Sequence, residues 1–210
     1  MRQRLIAAFT LLFCFVSVAS ADVVYRFSVD TSSISGTSGS LDLQFNPGPL
    51  VSQAASLQIL NFASNGTLAG GPSLIGDITG GPLPATLTFD NGTGFNDYFE
   101  GFTFGSNLLF DVRLYGPAVN SPDGTSTSGT TFAFSMFSDA AGTIPALTTD
   151  LTNGFASMVD VNLDGTTTVT NFSLQTTISP VSAVPEPSSL GLLAACLACM
   201  GYGLRRHARG

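Results

Sequence analysis

The chain has 210 residues, with seven arginines, no lysine, fourteen carboxylates and one histidine. Over residues 22–183, two arginines face thirteen acids, a formal charge of −11, so there is no basic footprint for nucleic acid or an anionic lipid surface. The same span holds no His, Cys or Lys, which excludes a Ser-His-Asp triad, a Cys-His pair, a Schiff-base lysine, His-ligated zinc and a disulfide within it.

The front of the chain reads as a secretory signal. Arg2 and Arg4 form a positive start, Leu5 to Val18 is apolar, and Ala19-Ser20-Ala21 gives the small-x-small cleavage pattern. Residues 1–21 are therefore expected to be removed by signal peptidase, with Asp22 beginning the exported chain.

Residues 22–183 are expected to form one all-β domain of about ten short strands, a β-sandwich or jelly roll. Val23 to Val29 alternates, with Tyr25, Phe27 and Val29 on one face and Arg26 and Ser28 on the other. Thr31 to Ser40 reads as a loop, and Leu41, Leu43 and Phe45 alternate with Asp42 and Gln44 in a second strand. Ala54 to Phe62 gives a third, Ser73 to Ile78 a short one, and Ala85 to Asp90 another, closed by a tight turn at Asn91-Gly92-Thr93-Gly94. In Asp97 to Gly105, Tyr98, Phe102 and Phe104 share one parity. Leu108 to Tyr115 has the clearest pattern, with Leu108, Phe110, Val112 and Leu114 inward and Asp111 and Arg113 outward. Pro117 to Gly129 is a polar loop, and Thr131 to Ser138 a strand with Phe132, Phe134 and Met136 inward. Phe155 to Leu163 and Thr166 to Ile178 read as a closing hairpin.

With nucleophile and base chemistry excluded, only carboxylates remain. Glu100, Asp97 and Asp111 are available to a carboxylate-only glycosidase, which needs two acids flanking a sugar, but so is every other surface acid, and the reading preferred for them is solvated strand faces. Asp160-Val161-Asn162-Leu163-Asp164-Gly165 matches the opening of a calcium loop, with hard oxygens at Asp160, Asn162 and Asp164. The twelfth position is Asn171 and not Glu, and Asp164-Gly165 also suits a type I′ hairpin turn. Without tryptophan, Tyr25, Tyr98 and Tyr115 are the candidate sugar platforms or, equally, core-edge residues. Asn65, Asn91 and Asn171 each begin an Asn-x-Ser/Thr triplet.

The tail, 184–210, is the most informative stretch. Val184-Pro185-Glu186-Pro187 is a stiff, extended segment with no helix before Ser188. Leu190 to Leu204 is an uncharged run spanning roughly 22 Å as a helix, a marginal membrane span within 188–204. Arg205, Arg206 and Arg209 form a basic stop within 205–210 that holds that end cytoplasmic and leaves everything before it outside. Cys196 and Cys199 read as small lipid-facing or helix-packing residues.

Tripeptide, apolar run, arginines and terminal position together resemble the PEP-CTERM sorting signal of Gram-negative surface proteins. The resemblance covers the last 27 residues. It implies export across the inner membrane and transient anchoring by the C-terminal helix. It also implies recognition of Val184 to Pro187 by an exosortase-like membrane protease, and an exopolysaccharide or biofilm setting. The expected protein is a non-enzymatic cell-surface or extracellular-matrix component of structural or adhesive role. The alternatives are a calcium-dependent carbohydrate-binding module and a carboxylate-only glycosidase.

Overall fold

A computed structural model describes residues 22–181. The signal segment 1–21, the sorting motif, the apolar run and the basic stop lie outside the described residues.

Thirteen strands form among the described residues: β1 (Val23–Asp30), β2 (Ser38–Pro47), β3 (Ser56–Ser64), β4 (Thr67–Leu68), β5 (Ser73–Ile75), β6 (Ile78–Gly80), β7 (Leu87–Asp90), β8 (Asp97–Thr103), β9 (Asn107–Tyr115), β10 (Thr130–Phe137), β11 (Phe155–Val161), β12 (Thr167–Asn171) and β13 (Thr176–Val181). They make two antiparallel sheets packed together as a sandwich. The first runs β13-β1-β9-β3-β7-β6; the second runs β12-β11-β10-β2-β8-β4, with β5 also on β8.

The alternation seen in the sequence dictates this packing. In β9, Leu108, Phe110, Val112 and Leu114 are all buried, as are Leu41, Leu43 and Phe45 of β2 and Phe132, Phe134 and Met136 of β10. Phenylalanines join the sheets. Phe27 of β1 stacks on Phe110 of β9 with ring centroids 4.8 Å apart. Phe27 then meets Phe132 edge-on at 5.7 Å, and Phe110 meets Phe134 at 5.1 Å. Such edge-to-face geometry is favoured by the ring quadrupoles.

Three connections differ from the sequence reading because the chain changes sheet where a hairpin or continuous strand was expected, and two loops hold short helical turns. Ser73 to Ile78 is two strands: β5 pairs with β8 and β6 with β7. The break is at Gly76, φ +83°, where a Cβ would lie 2.2 Å from the Phe95 carbonyl oxygen. The Asn91 segment is not a hairpin, since β7 and β8 belong to different sheets. Its Asn91 side chain accepts from the Ala55 amide (2.9 Å) and donates to the Gln53 carbonyl (2.9 Å) and the Thr130 hydroxyl (2.7 Å). Thr166 to Ile178 divides into β12 in one sheet and β13 in the other. Asn171 holds that crossing by donating to the Thr176 carbonyl at 2.7 Å and accepting from Ser157 at 2.9 Å. β12 is an edge strand with no buried residue, and β13 sets only Thr176 and Ile178 against the interior, so the apolar pattern carries no trace of the switch. Finally, the loop after β1 contains a 3-10 turn, Ser32–Ile34, and the loop after β9 a short helix, α1 (Pro117–Asn120).

The β11–β12 hairpin is present with a different turn. The Gly165 amide donates to the Asn162 carbonyl at 3.0 Å, and the Asn162 amide to the Thr166 carbonyl at 2.9 Å. Gly165 alone takes positive φ, +81°, and Asp164 does not. This is a three-residue loop with glycine at the left-handed position, not a type I′ pair.

Candidate functional site

The three carboxylates singled out from the sequence lie on three separate faces. Asp111 points outward from the first sheet, where Arg26 donates to both its oxygens at 2.8 and 3.0 Å and Asn61 adds a bond of 2.8 Å. The Arg26 hydrogen bond holds the Asp111 carboxyl below the usual range, against the opposing effect of burial. Glu100 shares the inward parity of Tyr98 and is 2% exposed. It accepts from the Tyr98 hydroxyl and from the Gly70 amide at 3.0 Å, while Tyr98 itself takes the Leu83 amide at 3.2 Å. Glu100 therefore ties two loops to β8 from inside the fold. Asp97 points outward from the second sheet.

The tyrosines are similarly committed. Tyr98 is fully buried. The Tyr25 hydroxyl bonds Thr167 of the opposite sheet at 2.7 Å. The Tyr115 ring carries the Arg113 guanidinium 5.1 Å from its centroid, and Arg113 is also paired with Asp22. All three Asn-x-Ser/Thr asparagines use their carboxamides internally; Asn65 accepts from the Ser106 and Asn107 amides at 2.8 and 3.1 Å and donates to the Ser106 hydroxyl at 2.8 Å.

Asp160, Asn162 and Asp164 have separate partners. Asp160 accepts from Thr131 at 2.5 Å, Asn162 donates to Thr166 and Thr168 at 3.0 Å each, and Asp164 accepts from the Thr166 hydroxyl at 2.6 Å. Asp160 and Asn162 line a groove of about 290 Å³ with Gly48 and Thr131; Asp164 does not reach it. Among the described residues, no group of three or more His, Cys, Asp or Glu side chains is placed to hold a metal ion.

Much of the acidity builds turns. Asp123 accepts from the Thr125 and Ser126 amides, both at 2.8 Å, and Asp139 from the Thr143 and Ile144 amides at 2.9 and 2.8 Å. These backbone bonds hold both carboxyls below their ordinary values. Asp30, Asp150 and Asp164 are lowered in the same direction by hydrogen bonds from Ser32, Asn153 and Thr166.

One acidic pair is different, and the sequence reading did not find it. Asp42 of β2 and Asp97 of β8 both leave the outer face of the second sheet. Their register is diagonal: Asp42 lies opposite Phe99, and Gln44 opposite Asp97. They are only 9% and 8% exposed. Segment 138–154 folds back over this face, with Pro145 bridging to Phe137 and Gly142 against the Phe99 ring. Gln44 donates to Asp42 Oδ2 at 2.9 Å and accepts from Asn46 at 3.2 Å. Oδ1 of Asp42 and Oδ1 of Asp97 have no hydrogen-bond partner. Burial first, then the hydrogen bond and charge of Asp97, push the Asp42 carboxyl up to about 8, with Gln44 pulling the other way.

Beyond β13 the sequence is decisive. Residues 183–206 match the PEP-CTERM protein-sorting motif. The chain carries a PEP-CTERM sorting signal. The signal implies export, sorting to the cell surface and processing by an exosortase, and it begins just past Val181, the last residue of β13. No curated protein and no solved structure gives a match to the chain.

Proposed function

We propose that this chain is a non-enzymatic surface or extracellular-matrix protein of structural or adhesive role, working among exopolysaccharide after an exosortase has removed its tail. The observation that carries this reading is the PEP-CTERM motif at 183–206, directly behind a sandwich with no His, Cys or Lys. The commitment of Asp111, Glu100 and the turn carboxylates to structural bonds supports the same reading. The chain alternates repeatedly between sheets, which supports a jelly-roll description of its connectivity. Residues 1–21 act as the signal peptide, and the helix expected within 188–204 anchors the chain only until cleavage.

The test is the intact mass of the protein purified from its host, with and without deletion of Val184 to Pro187. A mass beginning at Asp22 and ending near Pro187, abolished by the deletion, supports the processed-signal reading. A mass running to Gly210 overturns it and leaves the tail a plain anchor.

A calcium-dependent carbohydrate-binding role is the second reading, favoured by the groove beside Thr131, Asp160 and Asn162. Glycan binding with and without chelator tests it, and absence of binding in both conditions removes it.

A further inference from the structure

We propose that Asp42 and Asp97 form a divalent-cation site, selective for calcium, on the outer face of the second sheet. The proposal stands apart from the sorting signal and from the Asp160 to Asp164 hairpin.

Charge inventory leads to it. Two carboxyl groups at diagonal register positions on one face of adjacent strands, each nine-tenths buried, need a counter-charge, because like charges away from water repel strongly. The exported span has only two cations, Arg26 and Arg113. Arg26 is bound to Asp111 at 2.8 Å, and Arg113 to Asp22. No side chain of the domain is left to neutralise the pair, so its counter-charge comes from solution. A single proton cancels one charge; a divalent cation cancels both.

The local chemistry suits such an ion. Each carboxyl keeps one oxygen without a partner, Oδ1 in both cases. Ser135 of β10 is the register partner of Asp42 and is 1% exposed, and Gln44 already bonds Asp42. Two carboxylates and the neighbouring Ser135 hydroxyl make an all-oxygen set, while the Gln44 carboxamide donates its N–H to Asp42 and spends its oxygen on Asn46. Calcium accepts such hard ligands at variable number and angle and completes its shell with water, whereas magnesium demands near-ideal octahedral geometry.

The test is thermal unfolding of the full chain in detergent, in alkaline buffer, first with chelator and then with excess calcium or magnesium. Calcium at about a hundredfold excess over its dissociation constant is expected to raise the midpoint by roughly 5 °C, with a smaller response to magnesium. Asp42→Asn and Asp97→Asn should each remain folded in chelator, since each removes a like charge, and each should lose the calcium response. Asp164→Asn should keep it. An unchanged midpoint with calcium in the wild-type chain overturns the proposal and leaves a shared proton as the counter-charge. A calcium response retained in Asp42→Asn and Asp97→Asn, or lost only in Asp164→Asn, overturns it as well.

Discussion

Arg26 grips Asp111 through two parallel hydrogen bonds, linking neighbouring strands β1 and β9 on the outside of the first sheet. The carboxylate is nearly buried while the guanidinium is half exposed, with side-chain exposures of 6% and 49%. Bidentate geometry of this kind carries more than an ordinary surface ion pair.

The Asp111 carboxyl is held below its ordinary range in the fold, chiefly by Arg26. Its stabilising contribution is therefore complete above the unfolded carboxyl value of about 4 and disappears as pH falls through the lowered folded value. Asp111→Asn is expected to lower the unfolding midpoint at neutral pH and to flatten the acid limb of a stability profile. A neutral-pH midpoint equal to wild type would show the pair to be ornamental.

Asp42 has the opposite sign. Its folded value is raised to about 8, so the fold favours the protonated form. That stabilisation is full below about 4 and is lost as pH climbs toward the folded value. In chelator, wild-type stability should fall across this window by on the order of a few kcal/mol. Asp42→Asn should remove most of the slope and exceed wild type in alkaline buffer. Parallel denaturant midpoints for the two chains across the window would refute this.

Phe110 sits between Phe27 and Phe134 at centroid distances of 4.8 and 5.1 Å. Phe110→Ala empties the junction of the two sheets and should cost about 3–5 kcal/mol. Phe110→Leu, which retains most of the volume, should cost clearly less. Urea unfolding followed by circular dichroism measures both.

Asn91 satisfies backbone and side-chain groups of two other segments at once. Asn91→Ala leaves the Ala55 amide and the Gln53 carbonyl without it and should cost roughly 1–3 kcal/mol. Asn91→Asp retains an acceptor for Ala55 and loses both donor contacts, so it should fall between wild type and alanine. Equal stability of all three chains by urea unfolding would mean that water replaces the side chain at no cost.

The long strands were legible because alternate residues of each are core, as in β2, β9 and β10. The alternation of Leu108, Phe110, Val112 and Leu114 needs no structure to be seen. Sheet membership was not legible, because a strand that crosses over still faces the same core. Asn171 and Gly76 mark crossings, yet asparagine and glycine also mark hairpins. The buried acids were hidden for another reason. Glu100 lies at the inward parity of β8, but charge normally signals solvent, and the Tyr98 hydroxyl and Gly70 amide explain its place. Asp42 and Asp97 are far apart in sequence, and their proximity follows from the β2–β8 register, which no local pattern encodes. The tail was legible throughout because its information is linear: motif, apolar run, arginines.

Val181 pairs with Val24, and β13 is bonded to β1 along one side only, at the end of its sheet. A force pulling on the tail therefore reaches the domain at Val181 and meets the β1–β13 bonds in succession, from Val24–Val181 toward Val29–Thr176. Such bonds yield like a zipper, each bearing the load alone, whereas strands pulled from opposite ends share it. In any setting that loads the chain through its C-terminus, β13 is the first strand of the domain to bear the force.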